Sequence, residues 1–443
     1  MAKLQGDAPE TKPMGPVRRT IRNAGWLLAG KGVGGVFSLI YMGLVARSLG
    51  VEQFGIFALI LSYVQAISAL AKFESWKTVI RYGAEHLEKS RFAPLRRILN
   101  FSTFLDLGSA TVGAIVGVIG VYIAGPLLGW SADEETIAAY ACILLLFNIR
   151  GTPLGILRLY DRFDIAAYAE AVIPSIRLIG ALLAWIIFPS VFTYLLVWVA
   201  AEVFTAVVIW WAALRELRKK SPDVLALSLW NLEGVRKENV GLWPFAWTSN
   251  IDFSLKQVWL HLPVLIVGWA VDAVAAGGFR IAANLVNGLS KPSAALALAV
   301  FPELAKLNVT EPHRIRTVVR KTTLVSAAVG LAALTLMIIF GRLALWVLGG
   351  EDFTFAYPIL IMLAVAATID LVGLTLESAI VAMGFPGAML TIRAIVGAAY
   401  TALLFSMVPL FGIYGGGGSA IAAAVILLAL VFWKFTDISK RVR

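Results

Sequence analysis

Residues 26–72 read WLLAGKGVGGVFSLIYMGLVARSLGVEQFGIFALILSYVQAISALAK, two apolar runs joined by a short stretch that carries Arg47, Gly50 and Glu52. About twenty apolar residues in a helix cross the hydrocarbon core of a bilayer, and each run has that length. The pair reads as a transmembrane hairpin with crossings near 24–46 and 54–72.

The same pattern continues outward from this hairpin. Further apolar stretches lie near 99–122, 136–157, 165–188 and 191–214, then near 244–268, 278–302, 322–347, 354–380, 388–410 and 413–434. The expected fold is therefore an all-α integral membrane protein of about 12 transmembrane helices. Composition agrees: 59% of the 443 residues are hydrophobic and 15% charged, with a mean hydropathy of +0.83. A water-soluble domain carries roughly a quarter of its residues as charges.

The net charge of +11 is distributed as topology requires, in short segments between apolar runs, so nucleic acid is not an expected partner. With the N-terminus inside, 31 of the 38 Lys and Arg fall on the cytoplasmic side and only Arg47 and Arg342 lie near the outer face. The positive-inside rule then places both termini in the cytoplasm. The expected organisation is a polar, disordered N-terminus (1–23), an N-lobe of helices one to six (24–214), an amphipathic linker (215–243), a C-lobe of helices seven to twelve (244–434) and a basic tail (435–443).

Six crossings per half is an even number, so both lobes enter from the same side, as in parallel repeats. LVARSLGVEQFG at 44–55 and LIVGWAVDAVAAGG at 265–278 form a weak echo at corresponding places. The segments 73–98 and 215–243 mix Arg and Lys with Phe, Leu and Trp, which reads as amphipathic helices on the inner leaflet or as solvated linkers. Trp130, Trp243, Trp269 and Trp433 near span ends are expected in the interfacial belts.

Several function classes drop out. Cys142 has no partner cysteine, so no disulfide or thiolate metal site can form. No GxxxxGK[ST] phosphate loop or His-Glu zinc motif is present, no segment is long enough for an appended catalytic domain, and no cofactor is expected.

The informative residues are the charges inside spans, which are costly in lipid and must face a cavity or each other. They are Lys31, Asp106, Arg177, Glu202, Asp252, Lys256, Arg280, Lys291, Asp370, Glu377 and Arg393. Arg177 and Glu202 lie at similar depth in consecutive helices and read as a structural ion pair. Asp252 and Lys256 are spaced for pairing on one helix face. Arg393 sits near the inner end of its helix and reads as snorkelling. Lys31, Arg280 and Lys291 have no carboxylate within one turn on their own helices. Across a central cavity such cations suit a phosphate or pyrophosphate group. Pro292 after Lys291 marks a break in helix eight. The runs GKGVGG at 30–35 and YGGGG at 414–418 permit close helix packing or bending.

Four stretches, ARSLGVEQFGIFAL (46–59), RYGAEHLEKSRFAPLRRIL (81–99), GILRLYDRFDIAAYAEAVIPSIR (155–177) and FPELAKL (301–307), resemble in order and spacing the polysaccharide and O-antigen (Wzx-type) flippases. These belong to the multidrug, oligosaccharidyl-lipid and polysaccharide (MOP) exporter superfamily. The resemblance implies two six-helix lobes in a V around a central cavity, as in MATE transporters, alternating between inward-open and outward-open states. It implies a flippase and not an enzyme, in a bacterial cytoplasmic membrane, moving a polyprenyl-diphosphate-linked glycan for polysaccharide biosynthesis such as that of lipopolysaccharide. Membrane lipids, and a polysaccharide polymerase with chain-length machinery, are the implied partners. Cavity cations would hold the diphosphate, with Lys31, Arg177, Lys256, Arg280 and Lys291 as candidates. Asp252, Asp370 and Glu377 are candidate carboxylates for coupling to an ion gradient. Two other readings stay open: a cation-coupled multidrug antiporter of the same superfamily and a membrane-embedded glycosyltransferase or polymerase.

Overall fold

A computed structural model describes residues 16–147, 149–226, 231–288 and 315–441, and among these every regular element is helical. Helix α1 (Pro16–Ala71) contains both arms of the hairpin. It breaks at Gly50, whose φ of 73° and ψ of 174° lie where residues with a Cβ are strained. Ser38 and Tyr41 on one side of Gly50 line the same cavity as Leu61 and Gln65 on the other, so the chain doubles back there. The polar residues 16–23, expected outside the first helix, extend it instead, because Pro16 suits a first helical turn and nothing after it breaks the helix.

The remaining elements are α2 (Ser75–Glu88), α3 (Phe92–Leu127), α4 (Ala132–Ile143), a 3₁₀ turn (Leu144–Phe147), α5 (Gly151–Leu159), α6 (Phe163–Ile187), α7 (Val191–Lys220), α8 (Pro222–Ala226) and α9 (Val235–Glu238). Then come α10 (Leu242–Ala270), α11 (273–288), α12 (Ile315–Gly349), a 3₁₀ turn (Glu351–Ala356), α13 (Tyr357–Ala382), α14 (Pro386–Phe411) and α15 (Ile413–Arg441). Among the described residues, eight helical runs are long and apolar enough to cross a membrane.

The expected fourth span, 136–157, is not one helix. Helix α4 opens with a capping box, in which Ser131 Oγ accepts from Glu134 N and Glu134 returns the bond to Ser131 N. It tightens into the 3₁₀ turn and gives way to α5, which restarts at Gly151. Pro153 stands in the first turn of α5, where its missing N–H costs nothing. The break brings Arg150, which falls within the expected 136–157 span, against the helices beside it.

The amphipathic expectation for 73–98 is met by α2, which buries Ser75, Thr78, Val79, Gly83 and His86 on one face. The linker after α7 folds onto it. His86 Nε2 lies 3.0 Å from Asn239 Oδ1, Arg97 pairs with Glu238, and Phe101 and Trp243 stack edge to face. Trp130, expected at an interface, is instead 7% exposed and packs edge to face on Tyr63; Trp433 is 64% exposed. The glycines at 415–418 pack closely: a Cβ on Gly417 would meet Met362 Cβ at 2.9 Å.

At the Gly50 end the two halves of the chain meet in one apolar core. Phe54 stacks edge to face on Phe353, and a Cβ on Gly277 would fall 3.0 Å from Gly55 Cα. The two segments that echo one another in sequence thus touch. Arg47 clasps this end, its Nε and Nη2 donating to the carbonyls of Val347 and Trp346 at 2.9 and 2.8 Å. These carbonyls sit in the last turns of α12, where the helix dipole favours a cation.

Candidate functional site

Between the two arms of α1, with α6, α7 and α11, lies a cavity of about 190 Å³. Its charged lining residues are Arg177 and Arg280, joined by Tyr41, Gln65, Asn284 and Asn287; no carboxylate lines it among the described residues. Arg280 is 8% exposed. Its Nη2 donates to Gln65 Oε1 at 2.8 Å and its Nη1 to Ser62 Oγ at 3.2 Å, with His261 Nδ1 at 3.4 Å. Neutral partners aim this guanidinium without cancelling its charge.

Arg177 is held differently. Its Nη2 is 2.5 Å from Glu202 Oε1, and its guanidinium lies over the Trp198 ring at 4.7 Å. Glu202 serves a second arginine, for Arg150 Nη2 is 2.5 Å from the other carboxylate oxygen. Two cations share one anion, so the cluster keeps a net positive charge. Tyr41 Oη, Arg177 Nε, Arg280 Nε and Asn284 Nδ2 are buried without a hydrogen-bond partner among the described residues. Buried polar atoms rarely stay unsatisfied, and four on the residues lining one cavity mark a place for a polar guest.

A second cavity of about 270 Å³ lies among α10, α11, α13, α14 and α15, where Asp370 shares a largely apolar wall with Trp259, Phe279, Tyr400 and Asn287. Glu377, about two turns further along α13, accepts from Arg393 Nη2 at 2.7 Å. Arg393 therefore pairs across two helices, where sequence suggested snorkelling. Lys31, Asp252 and Lys256 lie on described helices, but their side chains are outside the description. Lys291, with the expected break beside it, and the FPELAKL stretch fall outside the described residues altogether.

The polysaccharide biosynthesis protein family profile matches residues 20–308. The chain belongs to this family. It is also similar to Inner membrane protein YghQ of Escherichia coli (strain K12), with 27% identity over 349 residues that cover 78% of this chain and 97% of that protein. Among solved structures, an inward-facing multidrug resistance MATE family transporter of the MOP superfamily superposes with a TM-score of 0.73 at 13% identity, covering 92% of this chain and 96% of that one. Lipid II flippase MurJ in an inward closed conformation superposes with a TM-score of 0.72 at 11% identity, covering 94% and 90%. The fold is that of the MOP superfamily structures, and this polysaccharide biosynthesis family member carries, among the described residues, eight helical runs long and apolar enough to cross a membrane.

Within this family member, sequence reasoning singled out Arg177, Glu202 and Arg280, and the structure gathers them around one cavity. It missed Arg150, which the break before α5 turns toward Glu202, and the neutral residues Tyr41, Gln65 and Asn284. Gln65 and Asn284 carried a usable signal, since each is an amide inside an apolar run.

Proposed function

We propose that this protein translocates a polyprenyl-diphosphate-linked oligosaccharide across the bacterial cytoplasmic membrane by alternating access, for cell-surface polysaccharide biosynthesis. The observation that carries this reading is the cavity with Arg177 and Arg280 in its wall, no carboxylate among its described lining residues, and four unsatisfied polar atoms around it. A diphosphate is a compact, multiply charged anion, and fixed guanidinium groups in a low-dielectric site bind such anions through charge-assisted, often bidentate bonds. No covalent bond changes; the head group crosses between the lobes while the prenyl tail stays in lipid.

In this reading the Gly50 end faces the periplasm, both termini face the cytoplasm, and helices one to six and seven to twelve form the two lobes. The packed contacts at Arg47, Phe54 and Gly55 then close the outer side while the cavity receives substrate from within. Lys31, Lys256 and Lys291 extend the set of cavity cations. Asp370, with Asp252 and Glu377, supplies carboxylates for coupling to an ion gradient, Glu377 in exchange with Arg393. Polymerase and chain-length proteins would act on the product outside.

The reading is tested in a conditional deletion strain by extracting polyprenyl-linked saccharides and staining surface glycan. The expected result is accumulated lipid-linked glycan and lost surface polymer, restored by wild type and reduced about tenfold with Arg280→Ala, the size of one lost charge-assisted contact. Full rescue by Arg280→Ala removes the cationic-cavity mechanism. The Asp370 pocket, acidic and aromatic, favours one second reading, a cation-coupled multidrug antiporter. Unchanged lipid pools with increased sensitivity to cationic drugs would establish it instead.

A further inference from the structure

A third cavity, of about 370 Å³, lies on the side of the Arg177–Glu202 pair away from the Gly50 end. Ile173, one turn before Arg177 on α6, and Thr205, three residues after Glu202 on α7, form part of its wall. Three cations line it: Lys72, Arg150 and Arg158. The one carboxylate in its wall among the described residues, Glu74, is already engaged, accepting from Trp76 Nε1 at 2.9 Å and lying 3.1 Å from Lys77 Nζ.

The cations are held in different ways. The Arg158 guanidinium carbon lies over the Trp76 ring, 4.1 Å from its centroid. Arg150 reaches Glu202, whose other oxygen binds Arg177, so one chain of charges runs from this chamber to the central cavity. Lys72 follows the last residue of α1, and no hydrogen bond or ion pair engages its Nζ among the described residues. It stands between the chamber and a smaller void bordered by Asp106. Asp106 is itself spoken for, by Ser75 Oγ at 2.5 Å and by Thr152 N and Oγ1, each at 2.8 Å.

The first turn of α5 adds to this field. Gly151 is in the chamber wall, and a Cβ there would fall 2.8 Å from Asp106 Oδ1, so the close approach of the helix start requires glycine. The positive end of the α5 dipole therefore adjoins three side-chain cations.

We propose that this chamber is a second anion site, where the diphosphate of the lipid-linked substrate docks before it moves to the Arg177 and Arg280 cavity. This rests on the flippase reading above. A diphosphate carries more charge than the single Glu202 carboxylate, so it competes for Arg150 and loosens the link to Arg177 as it advances. Lys72 supplies the unengaged charge that draws the anion in, and Arg150 is shared by the two stations.

The test uses the purified full-length chain in detergent with farnesyl diphosphate as probe, binding being followed by thermophoresis. Lys72→Met is expected to weaken binding about tenfold, and Lys72→Arg to restore it. Leu154→Trp, which fills the chamber from α5, is expected to block the probe as well. Farnesol, which lacks the phosphates, should respond to neither lysine substitution; an equal loss for farnesol means a collapsed pocket and overturns the proposal. If Lys72→Met binds as wild type does while Arg280→Ala loses the probe, the chamber is not a docking station and the flippase reading stands. If no form of the protein binds farnesyl diphosphate, that reading falls with it. Equal, Lys72-dependent binding of phosphatidylglycerol would reassign the chamber to ordinary lipid phosphates.

Discussion

The two ends of the bundle are built from different chemistry. At the Gly50 end the halves meet through Phe54, Phe353, Gly55 and Gly277, with Arg47 as a charged clasp. At the opposite end, around α2 and α5, buried polar contacts stand beside an apolar cluster that includes Val79, Leu95, Ile156 and Leu157: Asp106 with Ser75 and Thr152, His86 with Asn239, Arg97 with Glu238. The first arrangement excludes water by close contact of small and aromatic residues, so it opens only by separating as a unit. The second leaves cavities lined by cations, where an anion gains more than water does. The proposed translocation uses that asymmetry: a dry seal on one side of the site and a charged approach on the other.

The largest effect is expected from the polar end. Asp106→Ala strands Ser75 and two donors of Thr152 in a buried site, a loss of about 3 kcal/mol. It should appear as a marked fall in the melting temperature of the detergent-solubilised protein, whereas Asp106→Asn, which keeps an acceptor, should recover part of it. A wild-type melting curve for Asp106→Ala would mean that this end is held by apolar packing after all.

The dry end is tested next by Gly55→Val. Its Cβ collides with the backbone of Ala273 and Val274, and overpacking of this kind costs about 1–3 kcal/mol, charged only to the closed arrangement. In a Cys142→Ala background, a cysteine at Phe54 should then react roughly tenfold faster with an impermeant maleimide. Unchanged labelling would show that the seal lies elsewhere.

The smallest effect belongs to the clasp. Arg47→Ala removes two bonds from an exposed guanidinium, worth about 1 kcal/mol together, and should raise the same labelling rate only about fivefold. A larger rise than that of Gly55→Val would make charge, and not glycine packing, the determinant of closure.

Much of this was legible in one dimension. Hydropathy and the distribution of Lys and Arg gave the membrane class, the hairpin and the intramembrane charges, because the bilayer sets span length and penalises each charge regardless of neighbours. The depth match of Arg177 and Glu202 was readable because consecutive antiparallel helices share one turn. The broken span before Gly151 was less so: Gly151 and Pro153 are mild signals in an apolar run, and the partner of Arg150 beside the break, Glu202, lies on α7 far along the chain. Glu377 and Arg393 likewise found each other only through the packing of α13 on α14.

Sequence by itself determined that this chain lies in the membrane, which family it resembles and which side chains are too costly to face lipid. Tertiary structure decided which of those charges neutralise one another and which are left to bind. Length and hydropathy are properties of a single helix, whereas the partner of a buried charge is set by how several helices pack, and no spacing along the chain contains that.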